Sequence, residues 1–163
     1  MRSKSWPCAF FALTLMAAGS AAGNAAAYTV SGTVVDEEGR AVPDARVWFV
    51  DGQTVLSTQA DGSGAFSFTH QASGEVDVVA FVPGMALGGA RTPLIEDVSV
   101  ELDLAPAIET RLRTVDPRLR PIAGARLVRL RINDHFNAPV ALLSGEGLPP
   151  IRSDAEGNLV IPF

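Results

Sequence analysis

Cysteine, lysine and tyrosine each occur once in this 163-residue chain, at Cys8, Lys4 and Tyr28, and histidine occurs twice, at His70 and His135. Those scarcities exclude a good deal. Beyond residue 27 there is no thiol to form a disulfide, hold a structural metal or act as a nucleophile. Two histidines in distant segments leave little from which to assemble a metal centre. No H-E-x-x-H, C-x-x-C, phosphate-binding glycine loop or twelve-residue calcium loop is present. Ser63 sits in Gly62-Ser63-Gly64, but a nucleophile elbow needs G-x-S-x-G between a strand and a helix, and Asp61-Gly62-Ser63-Gly64 reads as a hairpin turn instead.

The first 27 residues stand apart. Arg2 and Lys4 precede an apolar run from Pro7 to Ala18, and Ala25-Ala26-Ala27 places small residues at the −3 and −1 positions of a cleavage site. This is the pattern of a secretory signal peptide, and it predicts a secreted or periplasmic, extracytoplasmic protein. The apolar run is shorter than the roughly 20 residues of a bilayer span, so no stable membrane span is expected after cleavage. Cys8 precedes the run and is not placed for lipidation. Without 1–27 the chain has 136 residues, with 18 acids against 11 arginines, a net charge of −7. Such a chain lacks the basic surface that neutralises phosphates, which argues against nucleic acid as a partner.

What is present is strand and turn. Val30, Gly32 and Val34 share one face of an alternating segment, as do Ala45, Val47 and Phe49, and again Phe66 and Phe68 around Ser67. Between them lie Glu37-Glu38-Gly39, Val42-Pro43-Asp44 and Asp61-Gly62-Ser63-Gly64, rich in residues that supply positive φ or preset a turn. Val76 onward to Pro83-Gly84-Met85 reads as a further strand and its turn. Val98, Val100, Leu102 and Leu104, alternating with Ser99, Glu101 and Asp103, supply a closing strand.

The pattern G-x-V-x-D-x-x-G-x-x-V-x-x-A-x-V is carried by Gly32, Val34, Asp36, Gly39, Val42, Ala45 and Val47. It is followed by D-x-x-G-x-F-x-F at Asp61, Gly64, Phe66 and Phe68. Together they resemble the carboxypeptidase regulatory-like domain across about Tyr28 to Pro106. The resemblance implies a seven-stranded Greek-key β-sandwich of the transthyretin-like type, and an accessory role beside something else, with no catalytic set and no cofactor. Related sandwiches that are enzymes need residues this chain does not offer. The non-haem iron dioxygenases use two tyrosines and two histidines, and the transthyretin-like hydrolase of purine breakdown needs a histidine and arginine cluster and a C-terminal Tyr-Arg-Gly-Ser.

After residue 107 the chain resembles itself. Asp116 to Leu130 aligns with Asp36 to Val50 at an offset of 80, matching Asp116 with Asp36, Ala125 with Ala45 and Arg126 with Arg46. Asp154, Gly157 and Leu159 align with Asp61, Gly64 and Phe66 at an offset of 93, so the copy carries about thirteen extra residues near 133–150. Leu119 replaces the turn glycine Gly39, with Pro117 and Pro121 available as substitute turn residues. The expected organisation is a signal peptide at 1–27, a regulatory-like sandwich at 28–107 and a degenerate, incomplete second β repeat at 108–163. The copy reaches Phe163 with no counterpart of Val76 to Leu104, and half a sandwich leaves a sheet uncovered and an edge unpaired. Three outcomes are open: the chain is a piece of a longer protein, its last strands extend the first sheet, or a partner strand completes them.

Charge divides along the same boundary. Residues 28–110 hold three arginines and thirteen acids, and residues 111–163 hold eight arginines and five acids. Either the two segments attract each other or this is ordinary solvated surface. Asp36, Glu37 and Glu38, or Glu96 and Asp97, are hard oxygen donors of the kind calcium takes, but the expected state is solvated loop acid, and no metal site is predicted. His70 and His135 are both expected as solvated loop histidines.

Alternation places Arg46, Trp48 and Val50 opposite the inward set, so Trp48 points away from the first core. Trp48 and Arg46 are therefore the candidate contact residues. The indole is either covered by the second segment, with Val128 at the equivalent position as the facing residue, or left as a stacking platform for a sugar or peptide. The reading is a non-catalytic accessory or adaptor module, used for spacing or protein interaction, with a protein partner or downstream domain. The alternatives are a carbohydrate- or peptide-binding module, or the N-terminal part of a larger extracytoplasmic enzyme or receptor.

Overall fold

The computed structural model describes residues 27–52, 54–71, 74–132, 136–140 and 149–163. The expected signal peptide at 1–27, except Ala27, and His135 with most of 133–148 therefore lie outside the described residues.

Seven strands occupy the first unit: β1 (Tyr28–Asp36), β2 (Arg46–Asp51), β3 (Thr54–Gln59), β4 (Ala65–His70), β5 (Gly74–Phe81), β6 (Gly88–Leu94) and β7 (Val98–Leu104). They form a three-stranded sheet in the order β4-β1-β7 and a four-stranded sheet in the order β3-β2-β5-β6. One core lies between the sheets. Val30 and Val34 of β1, Phe66 and Phe68 of β4, and Leu102 and Leu104 of β7 meet Val47 and Phe49 of β2 and Val76, Val78 and Ala80 of β5. The period-2 sets are thus the inward faces, as alternation requires. All pairs in these sheets are antiparallel except β1 with β7, which run parallel from Val30↔Val98 to Asp36↔Leu104.

Gly32 matters to that parallel pair. A Cβ there would collide with the Val100 carbonyl oxygen and lie 2.8 Å from Phe66 Cζ, so the close approach of β7 depends on the bare Cα. β6 has no clear alternation in sequence. β6 reads Gly88-Gly89-Ala90-Arg91-Thr92-Pro93-Leu94, and it tolerates two glycines and a proline because it lies at the sheet edge.

Four short strands follow: β8 (Thr110–Arg113), β9 (Leu130–Ile132), β10 (Phe136–Ala138) and β11 (Asn158–Ile161). They do not extend the first sheets. β8 pairs antiparallel with β11, and β9 with β10, as two separate two-stranded sheets. Among the described residues no helix is long and apolar enough to cross a membrane.

Candidate interdomain contact and interaction surface

The V-W-F-V run of β2 and the V-V-A-F run of β5 are buried on both faces of their sheet, although one face alone meets the first core. The other face carries Trp48, Val50, Val79, Phe81 and Leu87. These form a second apolar cluster with Phe136, Ala138, Val140, Ile151, Leu159, Ile161 and Phe163 of the later segment. Trp48 is 0% exposed, and its Nε1 has no hydrogen-bond partner among the described residues. Phe136 lies on the bare backbone of Gly89, its ring 2.8 Å from where a Cβ would stand. Phe81 and Phe163 meet edge to face at 5.9 Å.

Val128 is not the facing residue. It is 60% exposed, because the copied stretch 126–129 forms no ladder beyond the single bridge Arg126↔Arg152; of the aligned positions Leu159 joins the cluster, with Leu127 and Leu130 packed against it, and the rest of the contact comes from residues outside them. Arg46, the other candidate, is half-buried at the start of β2 and donates from Nη2 to Ser57 Oγ at 3.2 Å. A polar contact not evident in the sequence ties the segments together. Asp77 Oδ1 accepts from Arg91 Nε at 3.0 Å and from the Asn137 backbone N–H at 3.1 Å, and Asp77 Oδ2 accepts from Arg91 Nη2 at 3.1 Å. The one available signal was a carboxylate in the middle of an apolar strand. A cleft of about 170 Å³ beside it is lined by Val50, Gly52, Asp77, Arg129, Asn137 and Pro139 and holds no nucleophile.

The two aligned stretches build the same turn, bond for bond. Asp36 Oδ1 accepts from the Glu38 and Arg40 backbone N–H groups at 3.1 and 2.9 Å, and Asp36 Oδ2 from Arg40 Nε at 2.7 Å. Asp116 does the same with Arg118, Arg120 and Arg120 Nε at 2.8, 3.0 and 2.7 Å. Val34 N–H donates to Gly64 C=O at 2.9 Å, and Thr114 N–H to Gly157 C=O at 2.8 Å. Gly39 and Leu119 share a positive φ, 74° and 62°, so the copy keeps the turn even with a side chain in the left-handed region. Core positions changed instead. Thr114 stands for Val34 and Ser153 for Ala60, and both hydroxyls donate to the Ile122 carbonyl, at 2.8 and 2.7 Å.

These turn aspartates are acceptors for their own loops. The Arg40 backbone N–H holds the Asp36 carboxyl below its ordinary value, and that of Arg120 does so for Asp116. Asp61 is lowered first by the Ser63 hydroxyl and Asp154 by the Asn158 side chain. A carboxyl lowered on folding contributes stability above its unfolded pKa, about 3.9, that is lost as pH falls through the folded value. The urea midpoint should therefore be level in this respect above about pH 5 and fall below about pH 4. The fall should be shallower in Asp116→Asn, and an unchanged acid limb there would disprove the linkage.

Among the described residues no three histidine, cysteine or carboxylate side chains stand together to hold a metal ion. Asp97 Oδ1 accepts from the Thr29 N–H at 2.7 Å. His70 Nε2 lies 3.6 Å from Asp51 Oδ2, with its ring against Phe49. Ser63 hydrogen-bonds Asp61 within the hairpin turn.

Residues 29–106 match the family model of the carboxypeptidase regulatory-like domain. This segment is a carboxypeptidase regulatory-like domain. The regulatory-like domain is thus the complete seven-stranded unit, and the matched residues end where the connection to β8 begins. No curated protein matches the chain. Among solved structures it is similar to 3-chlorocatechol 1,2-dioxygenase from Rhodococcus opacus 1CP, at 9% identity and a TM-score of 0.43, covering 50% of this chain and 60% of that one. It is also similar to a streptococcal ancillary pilin, at 15% identity and 0.37, covering 83% and 50%. A third is the shaft pilin SpaA from Lactobacillus rhamnosus GG, at 9% and 0.38, covering 83% and 82%. The chain spans less than two thirds of the length of the first two, and likenesses this distant carry no functional argument.

Proposed function

We propose that this is an extracytoplasmic, non-catalytic accessory module in which a regulatory-like sandwich (28–107) and a partial second β repeat (108–163) act as one rigid spacer or adaptor for protein interaction. The carrying observation is the apolar cluster centred on Trp48, to which both segments contribute fully buried side chains. Burial of that kind scales with apolar area and opposes hinge motion between the parts. The buried indole has no open face for a sugar to stack on, which favours the adaptor over a glycan-binding role centred there.

The test is whether the parts unfold together. In a Trp6→Phe chain, Trp48 emission should be blue-shifted, and its urea transition should coincide with that of the far-ultraviolet circular dichroism. A Trp48 transition at lower urea, preceding loss of most strand signal, would mean that the second segment detaches on its own and would overturn the spacer.

A further inference from the structure

We infer that the open edge of β8 receives a β-strand from a partner protein, in the place β7 takes beside β1, and that the accepted strand alternates apolar with acidic residues. The inference rests on the adaptor reading and names the kind of partner.

The turn equivalence sets β8 on β1 at the offset of 80, with β11 in the position of β4. In the first unit the far side of β1 is closed by β7, whose Leu102 and Leu104 are fully buried. Among the described residues no strand lies on the far side of β8. The Thr114 N–H and C=O both bond toward the β11 side, so by alternation the backbone groups of Arg111 and Arg113 point to the open edge. On β8 itself Leu112 is left out in water, 48% exposed. A groove of about 570 Å³ at the start of this strand is lined by Ala86, Leu87, Ile108, Thr110 and Phe163 among others.

Charge selects the occupant. A second copy pairing β8 with β8 would set arginines opposite arginines, which destabilises a strand pair. An acidic guest gains instead. In β7 itself Glu101 lies opposite Thr33, the equivalent of Arg113. Leu112 stands in the place of Gly32, where a Cβ would collide with the Val100 carbonyl oxygen of β7, so the guest cannot copy the close approach of β7 to β1.

The probe is a fluorescein-labelled peptide with the sequence of residues 97–105, titrated with the full chain and followed by anisotropy. Saturable binding is expected, with at least a tenfold loss in Arg113→Pro, which removes an edge-facing N–H without touching the β8–β11 ladder. A similar loss is expected in an Arg111→Glu, Arg113→Glu double variant, and from scrambling the peptide. Unchanged Trp48 emission certifies each variant as folded, and the double variant decides the matter if the proline does not fold. No saturable rise, or binding indifferent to both variants or to scrambling, would overturn strand addition. Coincident unfolding of the two segments would be untouched by that failure, so the adaptor reading is tested separately.

Discussion

Trp48→Ala should lower the stability of the chain by about 3–5 kcal/mol, the range for deleting a fully buried aromatic side chain. The indole lies between a four-stranded sheet that has its own core on the other face and a segment whose described strands form only two two-stranded sheets, so the loss should be unequal. The regulatory-like domain keeps its own core, which does not include Trp48, whereas Phe136, Ala138 and Val140 lose the residue they close over. Amides of β10 and β11 should therefore exchange with solvent far faster in the variant, while those of β1, β2 and β5 change less. Trp48→Phe should cost much less, because it keeps an aromatic ring and removes a buried N–H that has no partner among the described residues. Equal acceleration of exchange in β1 and β10 would show that the indole supports the first core rather than the contact between segments.

Gly32→Val should be comparably severe through a different route, at about 3 kcal/mol or more, beyond the usual cost of overpacking because the obstacle is backbone. The added side chain meets the Val100 carbonyl oxygen and the Phe66 ring, so β7 must move off β1 or the β1 backbone must bend. The equivalent position of the second unit already holds Leu112 without any such conflict, since no described strand lies beside it. The check is urea unfolding of Gly32→Val beside Leu112→Val, for which only a small change is expected. A Gly32→Val chain as stable as the parent would mean that the close β1–β7 approach is not needed.

Much of the first unit was legible in the sequence. β1, β4 and β7 each carry alternation with one apolar face, and Asp36-to-Arg40 and Asp61-to-Gly64 carry turn chemistry that needs no tertiary context. β6 was not legible, because its pairing with β5 compensates for glycines and a proline that argue locally against a strand. The likeness of the two turns could be found because the aspartates and their arginine are the same in both, although the core positions between them are not. That same divergence misplaced Val128. Register inferred from turns extends only as far as the ladder does, and from Leu127 to Arg129 the copy has none. Phe136, Ala138 and Val140, which do the covering, come from the extra residues that had no counterpart to align, and nothing local marks them as facing Trp48.

The parallel pairing of β1 and β7 has a kinetic consequence. Thr29 and Asp97, at its entrance, are 68 residues apart in the chain, whereas β2 and β3 close through a tight hairpin. Closing so large a loop is slow, and folding rates fall as contacts become more distant in sequence. The four-stranded sheet, built from the hairpins β2–β3 and β5–β6 joined through the closer β2–β5 pairing, can assemble first, and β1 gains its second neighbour only after residue 104 has been made. The later segment needs the outer face of that four-stranded sheet and not the β1–β7 closure. It can therefore dock before the sandwich is finished, and it would shield the Trp48 face from aggregation during the interval in which β1 still waits for its partner.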